Sequence, residues 1–188
     1  MIVGITGKFG VGKSTISEML RKKGAFIIDA DKVVERIYEP DCQGTKKIQN
    51  FFGRQFLLKN GRVNKNKLKK LVFNNEKKLQ ILNNIIHPIV FHEIRKEIDR
   101  KKAPFIIIEA MDFSEKYLRK LIDKLIVVTS PIRLIQQRKK ISEEEIKKIH
   151  SFQKTPEKYD FFIENKGTKK KLEKKVNEFI KSCFIKIS

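Results

Sequence analysis

The stretch Gly4-Ile5-Thr6-Gly7-Lys8-Phe9-Gly10-Val11-Gly12-Lys13-Ser14-Thr15 fits the pattern G-x-x-x-x-G-K-[ST], and it constrains the fold more than any other part of the chain. Glycines at 7, 10 and 12 allow backbone conformations that aim several N–H groups at one anion, and a helix starting near Lys13 adds the positive end of its dipole. Such a loop belongs between a strand and a helix, and the flanks agree. Residues 1–5 are a short apolar run, while residues 14–23 carry Ile16, Met19 and Leu20 at helical spacing before Gly24. Strand, glycine loop and helix come in the required order, which disfavours a mere glycine-rich turn. The pattern gives Lys13 reach to the β/γ-phosphates of a nucleotide and places the Ser14 hydroxyl to ligate Mg²⁺.

A second strand signal, residues 25–28, leads directly into Asp29-Ala30-Asp31, and Val33, Val34 and Ile37 then give a short helical face. In an open parallel sheet, ligands collect beyond the carboxyl ends of the strands, so both aspartates are expected to face the phosphate site. A carboxylate there can take the proton of a hydroxyl that attacks a phosphate. Residues i and i+2 share a face if the chain is still extended. The alternative makes Asp31 the N-cap of a helix starting at Lys32 and Asp29 a strand-end turn residue.

From residue 39 to 102 strands vanish. Pro40 and Gly44 punctuate, and residues 48–52, 65–73, 76–86 and 88–98 read as separate helices. This length suits a helical subdomain inserted between strands two and three, a usual place for an acceptor pocket. His87-Pro88 is expected between two of these helices, with Pro88 at a first helical position and His87 either a cap or a substrate contact. Sheet returns at residues 105–109. Glu109, at its carboxyl end, is a candidate to hold a magnesium-bound water or the loop lysine, or else a solvated strand terminus. A strand at 125–129 precedes a charged helical segment, 131–153, with Arg133, Arg138, Lys139 and Lys140, then an acidic helix start at Ser142. Basic residues in a hinged segment suit a lid that closes over phosphates and excludes water, preventing ATP hydrolysis. Residues 161–163 form a last strand, before a C-terminal helix capped at Thr168.

Bulk properties narrow the function class. The net charge of +21 could indicate a nucleic-acid binder, but the excess is nearly all lysine, scattered over most predicted helices without an arginine cluster or aromatic-interleaved stripe. It reads as a solvated surface, and no nucleic acid is expected as main partner. No apolar run reaches the roughly 18–20 residues that span a bilayer. The chain enters its first strand at once, leaving no room for a leader, so a cytoplasmic protein is expected. Cys42 and Cys183 lie far apart with no metal-ligand spacing, against a disulfide framework or zinc site.

Taken in order, Gly4-Ile5-Thr6-Gly7 with Gly12-Lys13-Ser14-Thr15, Ile28-Asp29-Ala30-Asp31-Lys32, Phe52-Gly53, Leu71-Val72-Phe73-Asn74, Ile86-His87-Pro88, Leu125-Ile126-Val127-Val128, Ser142-Glu143-Glu144-Glu145 and Ile163-Glu164-Asn165-Lys166-Gly167 resemble the dephospho-CoA kinase family from end to end. The glycine loop is shared by many families; the Asp-Ala-Asp, Val-Phe-Asn and His-Pro elements are more particular. The resemblance implies ATP-dependent phosphorylation of the ribose 3′-hydroxyl of dephospho-CoA, the last step of coenzyme A synthesis, with ATP and Mg²⁺. It makes Asp31 the base and Asp29 its supporting neighbour. Gly10, Val11, Gly12, Lys13, Ser14 and Thr15 would hold ATP, with Ser14 at the metal. His87 would lie in the acceptor subdomain, Arg138 would be the lid arginine reaching the phosphates, and Asn165 and Gly167 would border the adenine pocket.

The expected architecture is a three-layer α/β P-loop NTPase fold with a parallel five-stranded sheet, an inserted helical substrate subdomain and a helical lid. Residues 1–38, 103–130 and 157–188 would form the core, 39–102 the acceptor-binding insertion and 131–156 the lid. The chain departs from the family pattern at four places. Arg138-Lys139-Lys140-Ile141 lacks a second arginine, Met111-Asp112 stands for Pro-Leu, Phe91 stands where an arginine follows His-Pro, and residues 153–160 are a shortened segment. The rivals are another small P-loop kinase, of shikimate- or nucleoside-monophosphate-kinase type, and a nucleic-acid-associated ATPase. The helical insertion opposes a shikimate-kinase-like enzyme. A GTPase is disfavoured because no Asn-Lys-x-Asp motif follows the fourth strand.

Overall fold

Apolar runs of four to six residues pair into one sheet: β1 (Ile2–Thr6), β2 (Phe26–Asp29), β3 (Ile106–Glu109), β4 (Lys124–Thr129) and β5 (Phe161–Glu164), in the order β2-β3-β1-β4-β5. The computed structural model describes residues 1–73, 75–111, 113 and 117–184. Asn74 of the Val-Phe-Asn element and Asp112 of the Met-Asp pair lie outside the described residues. β1 runs parallel to β3 and β4, and β4 parallel to β5. Ile5 stands opposite Glu109 on one side and Ile126 on the other. Parallel strands buried on both faces read as near-continuous hydrophobic runs, and β1, β3 and β4 do so.

The helices are α1 (Lys13–Arg21), α2 (Ala30–Ile37), α3 (Gln43–Phe52), α4 (Lys65–Phe73), α5 (Glu76–Lys101), α6 (Ile132–Lys139), α7 (Glu143–Ser151) and α8 (Lys169–Phe184). The chain divides into two compact units, residues 1–28 with 102–188, and residues 29–101.

In the first unit, Ile16 and Leu20 of α1, Ile135 of α6, Ile146 of α7, and Val176 and Phe179 of α8 join Val3, Ile5, Ile126, Val128 and Ile163 of the sheet in one core. Each aliphatic side chain so buried contributes roughly 1.5–3 kcal/mol. The segment expected to act as a lid is therefore anchored by two fully buried isoleucines. Lys140, in the left-handed conformation, ends α6, and the Ser142 hydroxyl caps α7 by accepting from the Glu145 N–H at 3.1 Å. Thr168 caps α8 in the same way, accepting from the Lys171 N–H.

The second unit is helical. α5 packs on α2, α3 and α4, and a 3-10 turn, Arg54–Phe56, leads to an isolated bridge between Leu57 and Val63. Here the sequence expectation needs correction. Residues 76–86 and 88–98 are not two helices with His87-Pro88 between them; α5 runs unbroken from Glu76 to Lys101 with Pro88 inside it. A proline there removes one N–H···O=C bond and crowds the carbonyl four residues back, at a cost of about 3 kcal/mol. Two features offset this. Ile86, Val90 and Ile94 recur every four residues across the proline and are all buried, so one continuous apolar stripe holds both halves. Pro88 and Asn84 are both exposed, so the interruption of the hydrogen-bond ladder falls at a solvent-facing part of the helix.

Candidate active site

β1 delivers the glycine loop from the sheet, and α1 takes it away. Two glycines are required by their surroundings. Gly7 has φ 149°, and a Cβ there would lie 2.2 Å from the Val128 carbonyl oxygen of the neighbouring strand. Gly12 has φ 97° and stands at the N-cap of α1, where a Cβ would lie 2.3 Å from Asn165 Nδ2. A side chain at either position meets both a disfavoured backbone region and an occupied space. Gly12 brings no side-chain cap, so the first-turn amides of α1 are presented to an anion.

The loop is braced by side chains from distant parts of the first unit. Asn165, buried after β5, donates through Nδ2 to the Val11 carbonyl at 2.8 Å. Arg138 donates from Nη1 to Ser130 Oγ at 3.2 Å and from Nη2 to the Asn165 carbonyl at 3.4 Å and its Oδ1 at 3.5 Å. Ser130 Oγ in turn donates to the Asn165 carbonyl at 2.9 Å. Val11, Gly12, Arg138 and Asn165, which the sequence proposed as separate contributors, are thus brought together. Further along the loop, the Phe9 N–H donates to Gln153 Oε1 at 2.8 Å and the Phe9 carbonyl lies 2.9 Å from His150 Nε2. Lys139 Nζ sits 5.4 Å from the centre of the Phe9 ring.

Lys13 Nζ donates to the carbonyls of Gly7 at 2.8 Å and Lys8 at 3.3 Å, which holds the ammonium against the loop. Ser14 and Thr15 are exposed in the first turn of α1. They border a cavity of about 660 Å³ that continues along Glu18, Met19, Lys22 and Lys23 to Lys169 and Glu173 of α8. Gly167 lies in the turn between β5 and α8. Among the described residues there is no group of three or more His, Cys, Asp and Glu side chains suited to a metal ion. Mg²⁺ keeps several waters and takes much of its shell from substrate phosphates, so it needs few protein oxygens, and the Ser14 hydroxyl is exposed in the first turn of α1.

Asp29 and Asp31 belong to the second unit. Asp29 closes β2 and is the N-cap of α2, its Oδ1 accepting from the N–H of Asp31 at 3.0 Å and of Lys32 at 3.3 Å. The helix therefore starts two residues earlier than the cap assignment to Asp31 supposed, because aspartate in extended conformation is among the strongest helix starters. Asp31 is exposed on the first turn, so the two carboxylates are related by a helix start and not by the alternation of an extended chain. His87 is half-buried inside α5, and Glu109 half-buried at the end of β3. Ser130, His150 and Gln153 carry no sequence signal of their role: each acts on backbone far away in the chain, and none belongs to a spaced motif.

The model of the dephospho-CoA kinase family matches residues 1–174. A dephospho-CoA kinase from Fusobacterium nucleatum is 37% identical over 187 residues, covering 95% of this chain and 96% of that protein. Among solved structures, the TT1252 protein of Thermus thermophilus superposes with a TM-score of 0.77 at 26% identity, covering 100% of this chain and 98% of its own. A dephospho-CoA kinase from Campylobacter jejuni gives 0.67 at 26% identity, with 97% and 96% covered. The architecture is the three-layer α/β P-loop fold, and the match of glycine loop, sheet and helical segments over nearly the whole length means that this chain belongs to the dephospho-CoA kinase family.

Proposed function

We propose that this chain transfers the γ-phosphoryl group of ATP to the ribose 3′-hydroxyl of dephospho-CoA, giving coenzyme A and ADP. The observation that carries the reading is the braced phosphate loop, Gly10 to Thr15 held by Asn165, which Arg138 holds in turn, in a chain of this family. The loop amides and Lys13 bind the β/γ-phosphates, and Arg138 stabilises charge on the group in transfer. Asp31 accepts the hydroxyl proton as the acceptor oxygen bonds to the γ-phosphorus and the bond to the ADP oxygen breaks. Asp29, as cap, orients the turn that carries Asp31. Ser14, and Glu109 through a water, would hold Mg²⁺, which would supply neutralisation of phosphate charge.

In this reading residues 39–102, with His87, form the acceptor-binding insertion, residues 131–156 the lid, and the remainder the nucleotide-binding core. Asn165 and Gly167 border the adenine, and the cavity beside Ser14 and Thr15 offers room next to the phosphates. No helix among the described residues is long and apolar enough to cross a membrane. Both substrates are highly charged, water-soluble molecules, which favours the cytoplasm as the place of reaction, with no nucleic acid as partner.

The test offers purified protein and Mg-ATP one acceptor at a time: dephospho-CoA, shikimate, nucleoside monophosphates, and DNA or RNA. ADP release is expected with dephospho-CoA. Stimulation by nucleic acid alone would sink the reading.

A further inference from the structure

We propose that His150 is a positioning residue of the phosphate loop, fixing the Phe9–Gly10 peptide so that the Gly10 N–H is turned to the nucleotide; this rests on the reading of residues 10–15 as the ATP cradle. A carbonyl oxygen only accepts, so the 2.9 Å contact between His150 Nε2 and the Phe9 carbonyl requires the proton on Nε2. Across a trans peptide the carbonyl and the following N–H point in opposite directions. By holding the Phe9 carbonyl toward α7, His150 directs the Gly10 N–H away from α7.

The neighbouring amide is disposed of differently. The Phe9 N–H is already bonded to Gln153 Oε1 at 2.8 Å, so the loop's inward donors begin at Gly10. The side chains of His150 in α7 and of Gln153, two residues past its end, thus bind both polar groups of Phe9, as a neighbouring strand would. α6 supplies the wall: Ile135 Cγ2 lies 2.4 Å from where a Gly10 Cβ would be, and Lys139 Nζ stands over the Phe9 ring. Gln153 Nε2 is itself tied to Met111 Sδ at 3.0 Å, which restrains its amide from turning over. A phosphate cradle works by donors aimed before the ligand arrives, so a loop whose Phe9–Gly10 peptide is free to rotate binds ATP more weakly.

The experiment compares wild type with His150→Leu, which removes the donor, and His150→Gln, which keeps an N–H of similar reach. Steady-state constants for both substrates are measured, together with nucleotide affinity by displacement of a fluorescent ATP analogue. His150→Leu is expected to raise the KM and dissociation constant for ATP about three- to tenfold, the worth of one net hydrogen bond. The KM for dephospho-CoA stays within twofold, and His150→Gln recovers most of the loss. Unchanged ATP affinity in His150→Leu overturns the proposal. So does a loss that extends equally to dephospho-CoA and to the melting temperature without nucleotide and is not recovered by Gln, since that is a packing effect. Nitrogen-15 NMR of the histidine rings checks the geometry in the unaltered protein: a neutral His150 protonated on Nδ1 alone would also overturn it. A wild type that binds the ATP analogue but does not phosphorylate dephospho-CoA would sink the assigned reaction while leaving this test in force.

Discussion

Asn165 donates its side-chain N–H to the main-chain carbonyl of Val11 at 2.8 Å, joining the end of β5 to the middle of the phosphate loop. The bond is buried, and the same amide lies where a Gly12 side chain would have to go. Asn165→Asp replaces a donor by an acceptor and faces a carboxylate with the Val11 carbonyl. The expected outcome is a loss of about 1–3 kcal/mol in stability, the cost of leaving a buried polar group unmatched, and a weaker affinity for ATP. Chemical denaturation and nucleotide titration measure the two, and an unchanged ATP affinity would return Asn165 to a purely structural role.

Arg138 reaches three acceptors, Ser130 Oγ and two oxygens of Asn165, by the spread of its planar guanidinium. An ammonium is a point charge and cannot copy that fork. Arg138→Lys is therefore expected to lower kcat by roughly 10- to 100-fold while the KM for dephospho-CoA changes little, as when transition-state charge loses a preorganised donor. Lys139 and Lys140 follow directly in sequence; full activity in Arg138→Lys would show that lysines suffice at this position.

The aspartates separate by chemistry. Asp31→Asn is expected to keep ATP binding and lose about 10²-fold or more in turnover, as on removal of a general base. Asp29→Asn preserves an N-cap acceptor, whereas Asp29→Ala removes it at about 1 kcal/mol. Thermal melts should therefore distinguish the two Asp29 variants, and rate measurements should single out Asp31. Near-normal turnover in Asp31→Asn would remove it from the chemistry.

How much of this is legible in the sequence depends on the range of the interaction. The glycine loop, its strand and α1 follow from local geometry and periodicity, and so do the caps at Ser142 and Thr168, where one side chain bonds an amide three residues on. The cap of α2 falls on Asp29 rather than Asp31, a choice that local rules leave open because both aspartates satisfy them. Pro88 misleads for a different reason: local stereochemistry favours a helix break there, and the buried stripe Ile86, Val90 and Ile94 overrides it. The braces that His150 and Gln153 supply are not legible at all. His150 and Gln153 meet Phe9 across 141 and 144 positions, and an isolated histidine or glutamine in or just after a charged helix gives no sign of a backbone partner so far away.

Tyr38 supplies a test of the second unit through pH. It is buried at the end of α2, and desolvation pushes its phenol up to about 12 from an ordinary value near 10. The folded state thus holds the proton more tightly than the unfolded chain. Below pH 10 both states are protonated and the stability is present in full. Between about pH 10 and 12 the unfolded chain releases a proton that the folded chain keeps, and the contribution is lost, up to about 2–3 kcal/mol at roughly 1.4 kcal/mol per unit. Lysines titrate in the same range, so the comparison has to be with Tyr38→Phe. The difference in unfolding free energy between the two proteins should be constant from pH 7 to 9 and then move against the wild type as pH rises toward 12. A difference that stays flat through pH 12 would mean that the phenol reaches water in the folded protein.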